Sequence, residues 1–270
     1  MSMKKAITIA GSDTSGGAGI QADLKTFQEH DVYGMTVLTC VVTMDPFNGW
    51  SHGVHPIPLD VVKDQINTAF AGVGADAIKT GMLGSVEIIE LTAQTLDKYA
   101  PKSIVIDPVM VCKGTDEVLH PETAVALREL LVPRATVVTP NLFEASQLAK
   151  VPVIKTVDDM KEAATRIYEL GAKYVLIKGG SKLQHEKAVD LLYDGKEFEL
   201  LESERIATTY THGAGCTSSA AITAALAKGT EVKDAIRQGK AFITTAIRNG
   251  FPINEFVGPT RHSAWRTCKL

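Results

Sequence analysis

Short apolar runs rich in β-branched residues return along this chain, separated by longer stretches with apolar residues every three or four positions. That alternation constrains the fold more than any other feature. Residues 5–10, 35–43, 75–80, 103–107, 136–139 and 174–178 read as buried strands. Residues 18–30, 58–71, 86–99, 121–131 and 156–170 read as helices, with Pro58 and Pro121 where helices begin and Gly171 where one stops. Strands alternating with helices join by right-handed crossovers into a mostly parallel sheet covered on both faces. Segments 188–193 and 197–201 flank Asp194-Gly195 and predict a hairpin at the sheet edge. Two more helices are expected near 216–228 and 231–249. No repeat or low-complexity linker interrupts the pattern, so one α/β domain over residues 1–270 is expected.

Composition narrows the functional classes. The chain is 45% hydrophobic and 22% charged with net charge −3, which fits a globular protein with its own core and excludes a disordered one. No basic face is implied, so nucleic acid is not an expected partner. The apolar run 6–10 is too short for a signal-peptide core or a membrane span, and a cytoplasmic location is expected. Cys40, Cys112, Cys216 and Cys268 lie far apart with no C-x-x-C spacing, which argues against zinc and for reduced thiols. Cys40 and Cys268 read as small buried apolar residues.

Ligands of open parallel sheets bind beyond the carboxyl ends of the strands. The strand exits here are Gly11-Ser12-Asp13, Met44-Asp45, Gly81-Met82, Asp107-Pro108, Pro140-Asn141 and Lys178-Gly179-Gly180. Glycine-rich loops add two candidates for phosphate. In the first, residues 11–19, Gly17-Ala18-Gly19 begins a loose dinucleotide fingerprint, but Ser12 to Ser15 put side chains where a pyrophosphate needs bare backbone. No acidic residue follows at the required offset of about twenty residues. A Walker loop fails as well, since Gly17-Ala18 stands where Lys-Ser/Thr is needed. The second loop, Thr211-His212-Gly213-Ala214-Gly215-Cys216, leads into an alanine-rich helix whose N-terminal N–H groups suit an anion. The same field is expected to favour a Cys216 thiolate.

The motifs resemble one family in order and in length. Residues 9–27, Ile-Ala-Gly-Ser-Asp-Thr-Ser-Gly-Gly-Ala-Gly-Ile-Gln-Ala-Asp-Leu-Lys-Thr-Phe, resemble the amino terminus of the hydroxymethylpyrimidine kinases. Lys79-Thr-Gly-Met-Leu83, Asp107-Pro-Val-Met110, Thr139-Pro-Asn-Leu-Phe-Glu144, Lys178-Gly-Gly180 and His212-Gly-Ala-Gly-Cys-Thr217 follow in family order, and the likeness runs from about residue 5 to 249. The resemblance implies a ribokinase-like three-layer α/β/α sandwich that transfers the ATP γ-phosphoryl, with Mg²⁺, to a primary alcohol on a heteroaromatic ring. Carried over by motif, Gly11, Asp13, Gly81 and Met82 line the alcohol pocket. Asn141 and Glu144 hold the metal–phosphate end of ATP, with Glu144 as metal ligand. Lys178, Gly179, Gly180, Ser181, Lys182, Asp190 and Lys240 lie along the nucleotide, and Gly213 and Gly215 form the anion hole. The wider ribokinase-like group commonly has aspartate as base where this chain has Cys216, so Cys216 is the expected base. The resemblance also favours a homodimer.

One departure bears on the alcohol. Pyrimidine kinases of this type carry a glutamine that bonds the aminopyrimidine edge, whereas this chain has Thr43-Met44-Asp45-Pro46. Met44 cannot pair with that edge, and an unpaired edge costs about 1–3 kcal/mol. Met44 is expected to pack on a flat ring, with Asp45 and His52 as polar contacts. The variant resembles the pyridoxal kinases of this branch, which implies phosphorylation of the 5′-hydroxymethyl group of pyridoxal, pyridoxine or pyridoxamine. Cys112, in a segment with lid character, is expected to reach the substrate and add to the pyridoxal aldehyde. Hydroxymethylpyrimidine kinase, alone or as a second activity, and a vitamer sensor without catalysis are the other readings.

Overall fold

The computed structural model describes residues 2–110 and 121–268. Its strands are β1 (Lys5–Asp13), β2 (Tyr33–Asp45), β3 (Ser51–Pro56), β4 (Ala77–Thr80), β5 (Ile104–Ile106), β6 (Val137–Val138), β7 (Tyr174–Gly180), β8 (Ala188–Tyr193) and β9 (Phe198–Ser203). They form one nine-stranded sheet of order β3-β2-β1-β4-β5-β6-β7-β8-β9. Pairing is parallel from β2 through β7 and antiparallel at both margins.

The helices between the strands are α1 (Gly19–Glu29), α2 (Leu59–Ile66), α3 (Val86–Tyr99), α4 (Pro121–Ala126), α5 (Leu142–Ala149) and α6 (Val157–Glu169), and α7 (Ala214–Ala227), α8 (Val232–Arg248) and α9 (Ala264–Thr267) follow β9. Both α2 and α4 run on into wider π-type turns, Asn67–Val73 and Leu127–Leu131. Successive strand residues serve opposite faces, as the pleat requires. Ile7, Val138, Val175 and Ile177 join a core with residues of α2, α3, α5 and α6. Their neighbours Ala6, Val137 and Leu176 join a second core with residues of α1, α7 and α8. The sheet is thus the middle of three layers, as the resemblance implies.

Helix α7 is buried at every position from 217 to 227, and its alanines let α1, α8 and the sheet close around it. A Cβ on Gly239 of α8 would meet Ile222 at 2.6 Å, so glycine there permits the close crossing. Four elements, β2, β3, α5 and α9, differ from the expected pattern. The run 35–43 is the middle of a longer β2, which continues through Met44 and Asp45 and folds back as β3. Helices α5 and α9 are short and emerge from segments without helical period. Among the described residues, no helix is long and apolar enough to cross a membrane.

Candidate active site

The first glycine-rich loop is built around its own carboxylate. Asp13 ends β1, and its Oδ1 accepts from Ser15 N at 2.8 Å and Ser15 Oγ at 2.7 Å. Its Oδ2 accepts from Ala18 N at 2.7 Å and meets His212 Nε2 at 2.7 Å. Burial alone would raise this carboxyl, but the bonds from His212 and Ser15 hold it well below the usual carboxylate range. The sequence placed Asp13 against the alcohol; the structure gives both of its oxygens to the loop and to His212. The motifs include His212 but give no sign of its contact with Asp13, which lies 199 positions away in the sequence. The two loops also touch directly. Gly213 has φ +77°, and a Cβ there would overlap the Gly17 carbonyl oxygen, so only glycine fits.

Gly213 caps α7, whose first turn brings its positive end to the strand-exit edge. Lys178 on β7 reaches the same point. Its Nζ lies 2.8 Å from Asp107 Oδ1 and 3.4 Å from where a Gly215 Cβ would stand. Asp107 also accepts from Thr139 Oγ1 and Ser219 Oγ, each at 3.1 Å. Burial opposes both charges, yet the pairing, with Lys79 and Glu144 nearby, keeps the Asp107 carboxyl low and the Lys178 ammonium high. The result is a fixed cation beside a helix N-terminus, an arrangement suited to a phosphoryl group. The sequence marked Asp107 as a strand exit and as the start of a family motif; its contact with Lys178 is a structural finding.

Asn141 and Glu144 share the opening of α5 as a capping box. Asn141 Oδ1 accepts from Glu144 N at 2.9 Å, and Glu144 Oε2 accepts from Asn141 N at 2.8 Å. Burial, with Asp107 nearby, raises the Glu144 carboxyl to about 7 against the pull of Lys178. Further along the edge, β7 bulges between Lys178 and Gly180. Gly180 N donates to Asp190 Oδ1 at 3.1 Å, and Lys240 Nζ donates to Asp190 Oδ2 at 2.9 Å. Asp190 and Lys240 are therefore partners of each other. In the turn after β7, Lys182 N donates to Gly179 O at 3.1 Å, and Ser181 O accepts from Arg205 at 2.7 Å.

On the other side of the α7 start, Gly11, Gly81 and Met82 come together. A Cβ on Gly11 would stand 2.7 Å from Cys40 Sγ and 3.9 Å from Met82 Cβ, and one on Gly81 would meet Ala10 at 2.9 Å. Cys40 fills the space that the missing side chain leaves. Cys268 is half-buried, rather than buried as expected. Met44 pairs with His52 and Asp45 with Ser51 across the β2–β3 ladder, so neither is a simple strand exit. Asp45 Oδ1 accepts from Phe47 N at 2.9 Å and shapes the hairpin turn. His52 and His212 line one cavity of about 230 Å³ with Gly49, Trp50, Phe256 and Val257. Trp50 stacks on Phe256 with ring centroids 5.7 Å apart.

Cys216 corrects the sequence reading in one respect. The helix field was expected to favour its thiolate. Instead, burial and the Asp23 and Asp107 carboxylates push the thiol up to about 12, while Lys79 and the Gly19 N–H pull the other way. Desolvation, with the Asp23 and Asp107 carboxyls, outweighs the opposing pull of Lys79. Cys112 lies outside the described residues.

Residues 13–261 match the family described as phosphomethylpyrimidine kinase. The chain is 65% identical over 266 residues to the pyridoxine kinase of Bacillus subtilis, covering 98% of each chain. The crystal structure of an ADP complex of Bacillus subtilis pyridoxal kinase superposes with a TM-score of 0.96 at 65% identity, over 98% of this chain and 99% of that one. The Staphylococcus aureus pyridoxal kinase in complex with AMP-PCP and pyridoxal gives a TM-score of 0.94 at 49% identity, over 100% and 97% of the two chains. Motif order, the three-layer ribokinase-like sheet and these matches agree: the chain belongs to the phosphomethylpyrimidine kinase family.

Proposed function

We propose that this chain is an ATP-dependent kinase that phosphorylates the 5′-hydroxymethyl group of pyridoxal and its related vitamers. The observation that carries the reading is the Lys178 ammonium, fixed by Asp107 and set against Gly215 at the start of α7. Phosphoryl transfer asks mainly for position and charge neutralisation, and this edge offers both. Pyridoxal is favoured over an aminopyrimidine by Met44, which has no donor or acceptor for an amidine edge. Kinship to pyridoxal kinases that bind ADP, AMP-PCP and pyridoxal supports the same choice.

The residues are given these roles. Gly213, Gly215 and Lys178 bind the transferred phosphoryl, while Gly179 to Lys182, Asp190 and Lys240 flank the nucleotide. Gly11, Gly81 and Met82, with Met44, Asp45 and His52, bound the vitamer, and Asp13 with His212 fixes the wall between the two ligands. Glu144 fits Mg²⁺: it is a buried carboxyl whose ionised form burial and Asp107 disfavour, and a cation beside it would favour that form. Among the described residues no group of three or more His, Cys, Asp and Glu side chains is arranged to hold a metal ion by itself, so the ion would take further ligands from phosphate and water. Bound Mg²⁺ supplies charge neutralisation to the phosphates. In the transfer, the alcohol oxygen bonds to the γ-phosphorus, the bond to the ADP oxygen breaks, and the alcohol proton passes to Cys216 Sγ. A thiol near 12 is protonated at rest, so to act as base it first releases that proton to water. Cys112 adds its sulfur to the aldehyde carbon of pyridoxal, the thiol proton moving to the carbonyl oxygen. A homodimer belongs to the same proposal.

One coupled assay of ADP release tests it, with pyridoxal, pyridoxine and hydroxymethylpyrimidine offered in turn. The proposal expects pyridoxal to have the highest kcat/KM. Cys216→Ser is expected to lower kcat by about 100-fold or more, and Cys112→Ala to harm pyridoxal turnover more than that of pyridoxine, which has no aldehyde. Preference for hydroxymethylpyrimidine would move the chain to the thiamine branch. Vitamer binding without ADP release would make it a sensor.

A further inference from the structure

The cavity between the β2–β3 hairpin and the C-terminal segment holds two aromatic rings to which the roles above give no task. Trp50 and Phe256 both line it, and they stack with centroids 5.7 Å apart and planes 17° apart. At about 230 Å³ the cavity falls short of the roughly 300–1,000 Å³ usual for drug-sized ligands. It suits a single substituted ring and is too small for a nucleotide.

Its walls place it on the alcohol side of the site. Met44 and His52 are direct partners in the β2–β3 ladder, so their side chains share one face of the ribbon. Cys40 lies on that same face by the two-residue period of a strand. Its Sγ is 2.7 Å from where a Gly11 Cβ would stand. His212 also lines the cavity, with its Nε2 2.7 Å from Asp13 Oδ2. The aromatic pair and the Asp13–His212 contact thus bound one space at the exit of β1.

Both rings are held by their own segments. Asn254 Oδ1 accepts from Phe256 N at 3.0 Å and from Val257 N at 2.9 Å, and His212 N donates to Gly258 O at 3.1 Å. Trp50 N donates to Asp45 O at 2.9 Å, and its φ is +63°, a conformation that bulky residues rarely adopt. Strain of this kind persists where the surroundings fix it, and it clusters at ligand clamps. Here the strained residue sets its indole against Phe256.

We propose that the cavity takes the heteroaromatic ring of the vitamer and that Trp50, braced by Phe256, is a specificity-determining residue packed on that ring. The proposal rests on the reading of the alcohol as a vitamer. Met44 withholds polar partners from an aminopyrimidine edge, and the aromatic pair supplies the attraction that holds the ring.

Calorimetric binding of pyridoxine, which has no aldehyde to react with a thiol, tests this beside binding of AMP-PCP and release of ADP. Trp50→Leu is expected to weaken pyridoxine binding by about tenfold or more, with AMP-PCP binding unchanged. Trp50→Phe keeps a flat ring and is expected to recover most of the loss. Parent-like pyridoxine binding in Trp50→Leu overturns the proposal. So does a loss of both ligands together, which would mark a general loosening, or a Phe variant no better than Leu. Should Trp50→Leu not fold, Phe256→Leu carries the test: it is expected to weaken pyridoxine by about threefold or more, and parent-like binding overturns the proposal. The kinase reading fails separately. A parent that binds pyridoxine without releasing ADP, with binding weakened in Trp50→Leu, keeps the ring site and drops phosphoryl transfer. ADP release with pyridoxine and undiminished binding in Trp50→Leu keeps the kinase and drops the ring site. A parent that does not bind pyridoxine overturns both.

Discussion

Glu144 is the residue whose charge the solvent pH is expected to set. Its carboxyl is raised from 4.5 to about 7, first by burial and then by Asp107. Between those values the folded chain keeps a proton that the unfolded chain has released. Stability therefore falls as pH rises through this window, by at most about 3 kcal/mol. Unfolding midpoints across the window are expected to fall in the ligand-free protein and to stay flatter in Glu144→Gln, which can keep the capping box. A slope unchanged by the substitution would place the titration elsewhere. Single residues were legible in unequal measure. The resemblance marked Lys178, Glu144 and Gly213, and the structure sets each at a strand exit or helix start. The direction of the Cys216 shift was not legible: Asp23, Lys79 and Asp107 come from three distant segments, and only the fold sets them around the sulfur.

At the scale of elements, the join between the two glycine-rich loops is the most exacting feature. Gly213→Ala forces a left-handed residue with a side chain, at about 1–3 kcal/mol, and drives that side chain into the Gly17 carbonyl. The loss in unfolding free energy is expected to exceed about 3 kcal/mol, with a raised KM for ATP in any folded fraction. A midpoint close to that of the parent would mean that the loops separate readily. The long strands and helices were legible because their periodicity runs over many residues. Strand β3 was not: Ser51-His-Gly-Val-His-Pro56 carries one apolar side chain besides its proline and owes its pairing to β2. Helix α5 had a signal that was assigned only to ligand binding. Asn141 and Glu144 stand at capping-box spacing, and the same two residues to which the resemblance gives phosphate and metal start the helix.

At the scale of the molecule, the strand order gathers segments separated by some two hundred residues onto one edge, and Asp13 with His212 latches two of them together. That latch gives a nucleotide a route to a loop it need not touch. A ligand that binds only the folded arrangement stabilises it by roughly 2.7 kcal/mol at a hundred times its Kd. Hydrogen exchange is expected to slow on ATP binding at residues 213–216, where α7 begins, and also at 14–18, through the 2.7 Å contact of His212 Nε2 with Asp13 Oδ2. His212→Phe removes that contact and nearly keeps the ring volume. In this variant the protection at 213–216 is expected to persist while that at 14–18 disappears. If both loops remain protected together, the coupling runs instead through the backbone contact of Gly213 with Gly17, which the substitution leaves in place.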